Sequence, residues 1–81
     1  MKIIKKGFNP QTFGVYAFFE HKGSEFYADL CDTYDQGNEC MIFLSENKQV
    51  TSWSELYCKR GIPVNEESLL CCIQEFIESL N

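Results

Sequence analysis

Apolar side chains recur at every second position in two neighbouring runs of this chain. Val15, Ala17 and Phe19 fall in the first, and Phe26, Ala28 and Leu30 in the second. Between the runs stands His21-Lys22-Gly23-Ser24, a turn signal in which Gly23 can take positive φ. The pattern predicts a β-hairpin of Phe13–Glu20 with Glu25–Thr33. A two-residue turn at Lys22-Gly23 fixes its register. Phe19 then faces Phe26, Ala17 faces Ala28 and Val15 faces Leu30, which makes one face uniformly apolar and suited to the core. The other face pairs Glu20 with Glu25, Phe18 with Tyr27, Tyr16 with Asp29 and Gly14 with Cys31. It is aromatic and acidic, and the two glutamates facing each other beside the turn are mildly unfavourable.

The remaining pattern extends this hairpin in both directions. KIIKKGF over residues 2–8 predicts an earlier strand, ended by Asn9-Pro10-Gln11 because proline lacks the amide donor. After a polar loop at residues 34–38, Cys40–Ser45 (CMIFLS) predicts a fourth strand. Its apolar residues do not alternate, as expected of an interior strand or one covered on both faces. Glu46-Asn47-Lys48-Gln49 is a further turn.

Two helices are then expected. Ser52 and Glu55 have capping-box spacing, and Trp53, Leu56 and Tyr57 share a helical face; Gly61 and Pro63 would end that helix. The second starts at Asn65 as N-cap, with Val64 and Leu69 as a hydrophobic staple and Glu66 and Glu67 at the positive end of the helix dipole. At about 100° per residue, Leu69, Cys72, Ile73, Phe76, Ile77 and Leu80 form its buried side. Adjacent cysteines are thereby separated: Cys72 is expected inside and Cys71 outside. The predicted architecture is one α+β domain over residues 1–81. It has a small antiparallel sheet of about four strands, in the order β-β-β-β-α-α, with the C-terminal helix on one face. The outer face with Tyr16, Phe18 and Tyr27 would be covered by the Trp53 helix, by Phe8 and Phe13, or by a partner.

Composition narrows the function classes. With 44% hydrophobic and 15% aromatic residues among 81, the chain has material for a packed core and is not a disordered segment. The net charge of −5 argues against nucleic acid and anionic membranes as partners. Charge is also segregated. Residues 1–19 hold Lys2, Lys5 and Lys6 and no acid, whereas Glu20, Glu25, Asp29, Asp32, Asp35, Glu39 and Glu46 crowd residues 20–46 beside the one base Lys22. MKIIKKG lacks an apolar segment behind its lysines, and no apolar run approaches the ~20 residues that span a bilayer. The expected compartment is the cytoplasm, and the five cysteines are expected as free thiols, mostly buried.

No residue set has the spacing of a catalytic or metal site. His21 sits at the hairpin tip without a sheltered orienting partner. Cys31 would lie too far from His21 to be activated, and Cys71 stands among glutamates. Cys31, Cys40, Cys58, Cys71 and Cys72 include no CxxC pair and there is one histidine, so no zinc site is expected. Asp29, Asp32 and Asp35 recur every third residue where a calcium loop needs every second, and Tyr34 stands where a ligand should. Neither a cofactor nor a metal is expected. An aromatic sheet can be a single-strand nucleic-acid platform, but that needs surrounding lysine or arginine, and this sheet is acidic.

These features fit a small, non-enzymatic, acidic protein that binds another, basic protein. An immunity protein, an antitoxin or a phage-encoded inhibitor of a nuclease-type target has this build. The expected contact residues are Tyr16, Phe18, Tyr27, Glu20, Glu25 and Asp29, with Asp32 and Asp35 adding steering. The alternative is a homodimer with a structural or accessory role, built on the same face or by edge-strand pairing. A small-ligand binder or enzyme ranks third; a cavity holding a buried carboxylate of raised pKa would revive it.

Overall fold

The structure is a computed structural model that describes residues 1–33 and 37–80, residues 51–53 by their backbone alone. Asp35 and the side chain of Trp53 therefore lie outside the described residues. Five strands, β1 (Lys2–Asn9), β2 (Gly14–His21), β3 (Ser24–Thr33), β4 (Gly37–Glu46) and β5 (Gln49–Arg60), precede one helix, α1 (Glu66–Ser79). The sheet is an antiparallel meander in sequential order. The α+β class holds, with five strands among the described residues where about four were expected.

The β2–β3 hairpin has the register that the sequence dictates: Phe19↔Phe26, Ala17↔Ala28 and Val15↔Leu30 on one face, and Phe18↔Tyr27, Tyr16↔Asp29 and Glu20↔Glu25 on the other. Lys22 (φ 51°) and Gly23 (φ 81°) are both left-handed, the turn whose twist matches that of the flanking strands. Strand β4 lies between β3 and β5, which explains why CMIFLS is apolar on both sides: Cys40 and Ile42 are fully buried under the helix, and Met41 and Phe43 extend the outer face.

The expected short helix at Ser52–Arg60 does not form; its residues are part of β5. Tyr57 pairs with Ile42, but Phe43 pairs with Glu55, so Leu56 is the extra residue of a bulge and is exposed. The one-sided spacing of Trp53, Leu56 and Tyr57 is therefore not a helical face. Tyr57 packs on the core and donates to Glu75 Oε2 (2.8 Å), which also takes Lys59 Nζ (3.0 Å). Burial of Tyr57 and the ladder to β4 outweigh a weak local helical preference, and Val50, Tyr57 and Cys58 suit a strand.

Helix α1 forms as the pattern predicts, except that Leu80, expected on its buried side, is the C-cap residue past the last turn and is exposed. Asn65 Oδ1 accepts from the Ser68 amide (2.7 Å), and Leu69, Cys72, Ile73, Phe76 and Ile77 are buried over β2, β3 and β4. Cys72 is buried and Cys71 exposed. All five thiols are free, but Cys40 and Cys72 alone are buried; Cys31 is intermediate and Cys58 exposed, so the thiols are not mostly buried. Among the described residues no helix is long and apolar enough to cross a membrane.

Candidate functional site

The aromatic face forms because β2 and β3 place Tyr16, Phe18 and Tyr27 side by side, with Gly7 of β1 flanking them. A Cβ on Gly7 would stand 3.2 Å from Tyr16 Oη, so the missing side chain lets the Tyr16 ring lie over β1. Ring centroids are 4.8 Å apart for Phe18–Tyr27, 6.1 Å for Tyr16–Phe18 and 6.2 Å for Tyr16–Tyr27. Phe43 of β4 stacks on Tyr27 at 6.4 Å. These distances are those of rings packed edge and face against one another, which makes a continuous platform. Each of the four rings is only partly buried.

Among the described residues no helix covers this platform. Phe8 does not cover it either: it pairs with Val15, on the helix side of the sheet, and meets Phe13 edge-on at 6.5 Å. What shelters the rings is the curl of the sheet. Val50 of β5 and Asn9 of β1, from opposite edges, line one open groove of about 460 Å³ with Tyr16, Phe18 and Tyr27. The sequence reading missed Val50, Asn9 and Phe43. The alternation of Met41 and Phe43 with Cys40 and Ile42 was the signal for Phe43; nothing local pointed to the other two.

The acidic residues assigned to this face separate into different roles. Asp29 belongs to it, between Tyr16 on β2 and Met41 on β4. Its Oδ2 accepts from Tyr27 Oη (3.1 Å), while Oδ1 is shielded from solvent and has no donor. Burial pushes the Asp29 carboxyl above its ordinary 3.8, partly offset by the Tyr27 hydrogen bond, and burial followed by the Asp29 charge pushes Tyr27 up. Asp29 does not line the groove wall itself; it lies beside it.

Glu25 serves the fold. Its Oε2 accepts from Ser45 Oγ (2.6 Å) and from the Lys48 amide (2.7 Å), and these two hydrogen bonds hold its carboxyl below the usual range. Lys48 is left-handed (φ 63°), a strained setting for a residue with a Cβ, and Glu25 tethers the β4–β5 turn there. Glu20 stays exposed at the rim, and Asp32 alternates onto the helix side, away from the rings. The structure thus joins Tyr16, Phe18, Tyr27 and Asp29, keeps Glu20 at the edge, ties Glu25 of the same face to the β4–β5 turn, and puts Asp32 on the helix side.

Among the described residues no other chemistry finds an assembled site. His21 is half-buried rather than exposed, and its Nε2 is shielded without a partner. Burial raises the thiols of Cys31, Cys40, Cys58 and Cys72, which disfavours nucleophilic thiolates. Among the described residues no group of His, Cys, Asp or Glu is placed to hold a metal ion.

The carboxylate without a donor has a pH signature. Since the folded chain holds the Asp29 proton more tightly than the unfolded one, ionised Asp29 opposes folding above its folded pKa, and that penalty fades as pH falls toward 3.8. Glu25 and Glu75 act oppositely, because their lowered pKa values withdraw stability as pH falls below 4.5. Asp29→Asn should therefore melt higher than wild type at pH 7, and the gap should narrow as the pH is lowered. Thermal melts of both proteins from pH 7 to 3 check this; a gap that widens on acidification contradicts it.

No protein-family model, curated protein or solved structure matches this chain.

Proposed function

We propose that this chain is a non-enzymatic protein-binding module whose aromatic outer face docks on a basic protein partner, in the manner of a small inhibitor. One observation carries the reading. Among the described residues the one helix lies on the other face of the sheet, which leaves Tyr16, Phe18, Tyr27 and Phe43 as a partly exposed platform beside Asp29 and Glu20. Aromatic centres with charged rims are the usual composition of binding hot spots. The net charge of −5 favours a basic partner and speeds its approach.

The test compares wild type with a folded Tyr16→Ala/Tyr27→Ala variant as bait in lysate of the source cell. A basic protein held by wild type should lose at least ~30-fold in affinity for the variant, about 2 kcal/mol, as expected for central aromatic anchors. Equal affinity for both baits removes this face from the binding site.

Homodimerisation is the second reading, favoured by β5: it is a twelve-residue edge strand with Val50 and Leu56 exposed, whereas the β1 edge carries Lys2, Lys5 and Lys6. Light scattering that gives a dimer for wild type and a monomer for Leu56→Lys on the β5 edge supports it.

A further inference from the structure

We propose that the β5 edge pairs with the β5 edge of a second copy of this chain, antiparallel, about a two-fold axis that passes through Cys58. This rests on the homodimer reading above and gives it a register and a central residue. The direction of the backbone groups decides which residues can pair. The Gly61 amide donates to the Asn38 carbonyl (2.9 Å), and hydrogen-bonded and non-hydrogen-bonded pairs alternate along an antiparallel ladder. With Arg60↔Glu39, Lys59↔Cys40, Cys58↔Met41 and Tyr57↔Ile42, the N–H and C=O groups of Lys59 and Tyr57 point at β4, and those of Cys58 and Arg60 point away from the sheet. The same alternation, carried through β4 and β3, makes His21↔Ser24 a hydrogen-bonded pair, as the two-residue turn between them requires.

Among the described residues no strand pairs with the outer side of β5. The opposite edge, β1, is guarded by Lys2, Lys5 and Lys6 and by a bulge between Ile3 and Lys5. Strand β5 carries cations as well, but each has an acid of its own chain: Lys59 donates to Glu75 (3.0 Å) and Arg60 to Glu39 (2.8 Å). Two β5 edges can therefore approach with little like-charge repulsion.

Side chains choose the axis, because directly opposite residues share a face of the sheet. An axis through Lys59 or Arg60 sets like charges against each other. An axis through Tyr57 puts Leu56, the extra residue of the bulge, next to the axis in both strands. An axis through Cys58 avoids both. The two Cys58 residues exchange their outward N–H and C=O groups, and Tyr57 faces Lys59 of the second copy. Arg60 faces the second copy's Leu56, which is 51% exposed in the single chain, with Glu55 beside it at the bulge. A strand of another protein offers the same backbone groups, but this match of Arg60 with Glu55 and Leu56 comes from the chain's own symmetry.

The test is sedimentation of the full chain in about 0.15 M salt, over concentrations up to ~1 mM. Wild type and Cys58→Ala should dimerise. Cys58→Pro should weaken the dimer at least ~30-fold, since each copy loses one intermolecular bond worth about fivefold. That N–H has no acceptor within the chain, so Cys58→Pro should melt close to wild type, whereas Lys59→Pro breaks the ladder to β4 and should melt far lower. A short bis-maleimide gives an independent readout. It should link two copies of Cys31→Ser/Cys71→Ser, and adding Cys58→Ala should abolish the link. A dimer unmoved by Cys58→Pro, a link that does not need Cys58, or a Cys58→Pro chain as unstable as Lys59→Pro would overturn the Cys58 axis and leave the homodimer reading standing. A wild-type chain that stays monomeric up to ~1 mM overturns both. The aromatic-face reading is tested separately, by Tyr16→Ala/Tyr27→Ala.

Discussion

Phe76→Ala is expected to remove a large share of the folding stability of this chain. Phe76 is the hub of the core: its ring meets Phe26 at 5.2 Å, Tyr57 at 6.0 Å and Phe19 at 6.2 Å, all near-perpendicular, and it is 2% exposed. Truncating a buried phenylalanine costs about 3–5 kcal/mol, part lost transfer energy and part residual cavity. A domain of this size has roughly 4–12 kcal/mol in all, so the loss is a large share of the total. The cavity would open where β2, β3, β5 and α1 meet, and each of those elements is braced by the same ring. Denaturant melts followed by circular dichroism measure the change. Phe76→Leu, which keeps most of the volume, should recover much of the stability, whereas a Phe76→Ala protein within about 1 kcal/mol of wild type would contradict this account of the core.

Gly14→Ala is the second large effect, and it comes from contact distance rather than from lost burial. A Cβ on Gly14 would lie 2.4 Å from the Leu30 carbonyl oxygen and 2.9 Å from Cys31 Cβ. The first is backbone in the middle of β3 and cannot swing aside, so the strands must separate or shift. Overpacking of this kind costs about 1–3 kcal/mol, and here the upper end is expected because a ladder is disturbed. Leu30 and Cys31 directly follow Asp29, so the displacement reaches the aromatic face too. Gly7→Ala is the matched control: its Cβ would meet the Tyr16 ring at 3.3 Å, and the ring can tilt. The thermal midpoint should fall much further for Gly14→Ala than for Gly7→Ala, while the latter should alter the Tyr16 ring resonances. The reverse order would show that the β2–β3 spacing is more compliant than these distances imply.

Smaller effects follow from the turns. Lys48 occupies a left-handed position that glycine takes without strain, so Lys48→Gly should be neutral or stabilising by up to about 1 kcal/mol in a melt, provided that the backbone amide still reaches Glu25.

What the sequence determined by itself is whatever depends on neighbours along the chain. The period-two run on each side of Lys22-Gly23 dictated the hairpin, its register and the buried side of β2 and β3, because a two-residue left-handed turn leaves one pairing open. The 3.6-residue period after Asn65 dictated α1 and parted Cys71 from Cys72 for the same reason. The grouping of Tyr16, Phe18, Tyr27 and Asp29 was legible as well, being a consequence of that register. Tertiary structure alone decided the rest. Residues 52–60 carry a capping-box spacing and a helical-looking triad, yet they extend as β5 because β4 offers a full ladder and Tyr57 finds the core; neither gain is visible within a nine-residue window. Glu25 stays on the outer face but is tied to the β4–β5 turn, twenty residues further on, because Ser45 and Lys48 there take its carboxylate as acceptor. The groove owes its walls to the curl that brings Asn9 and Val50 from opposite edges toward Tyr16, and curl is the sum of strand twists and bulges over the whole sheet rather than the property of any one residue.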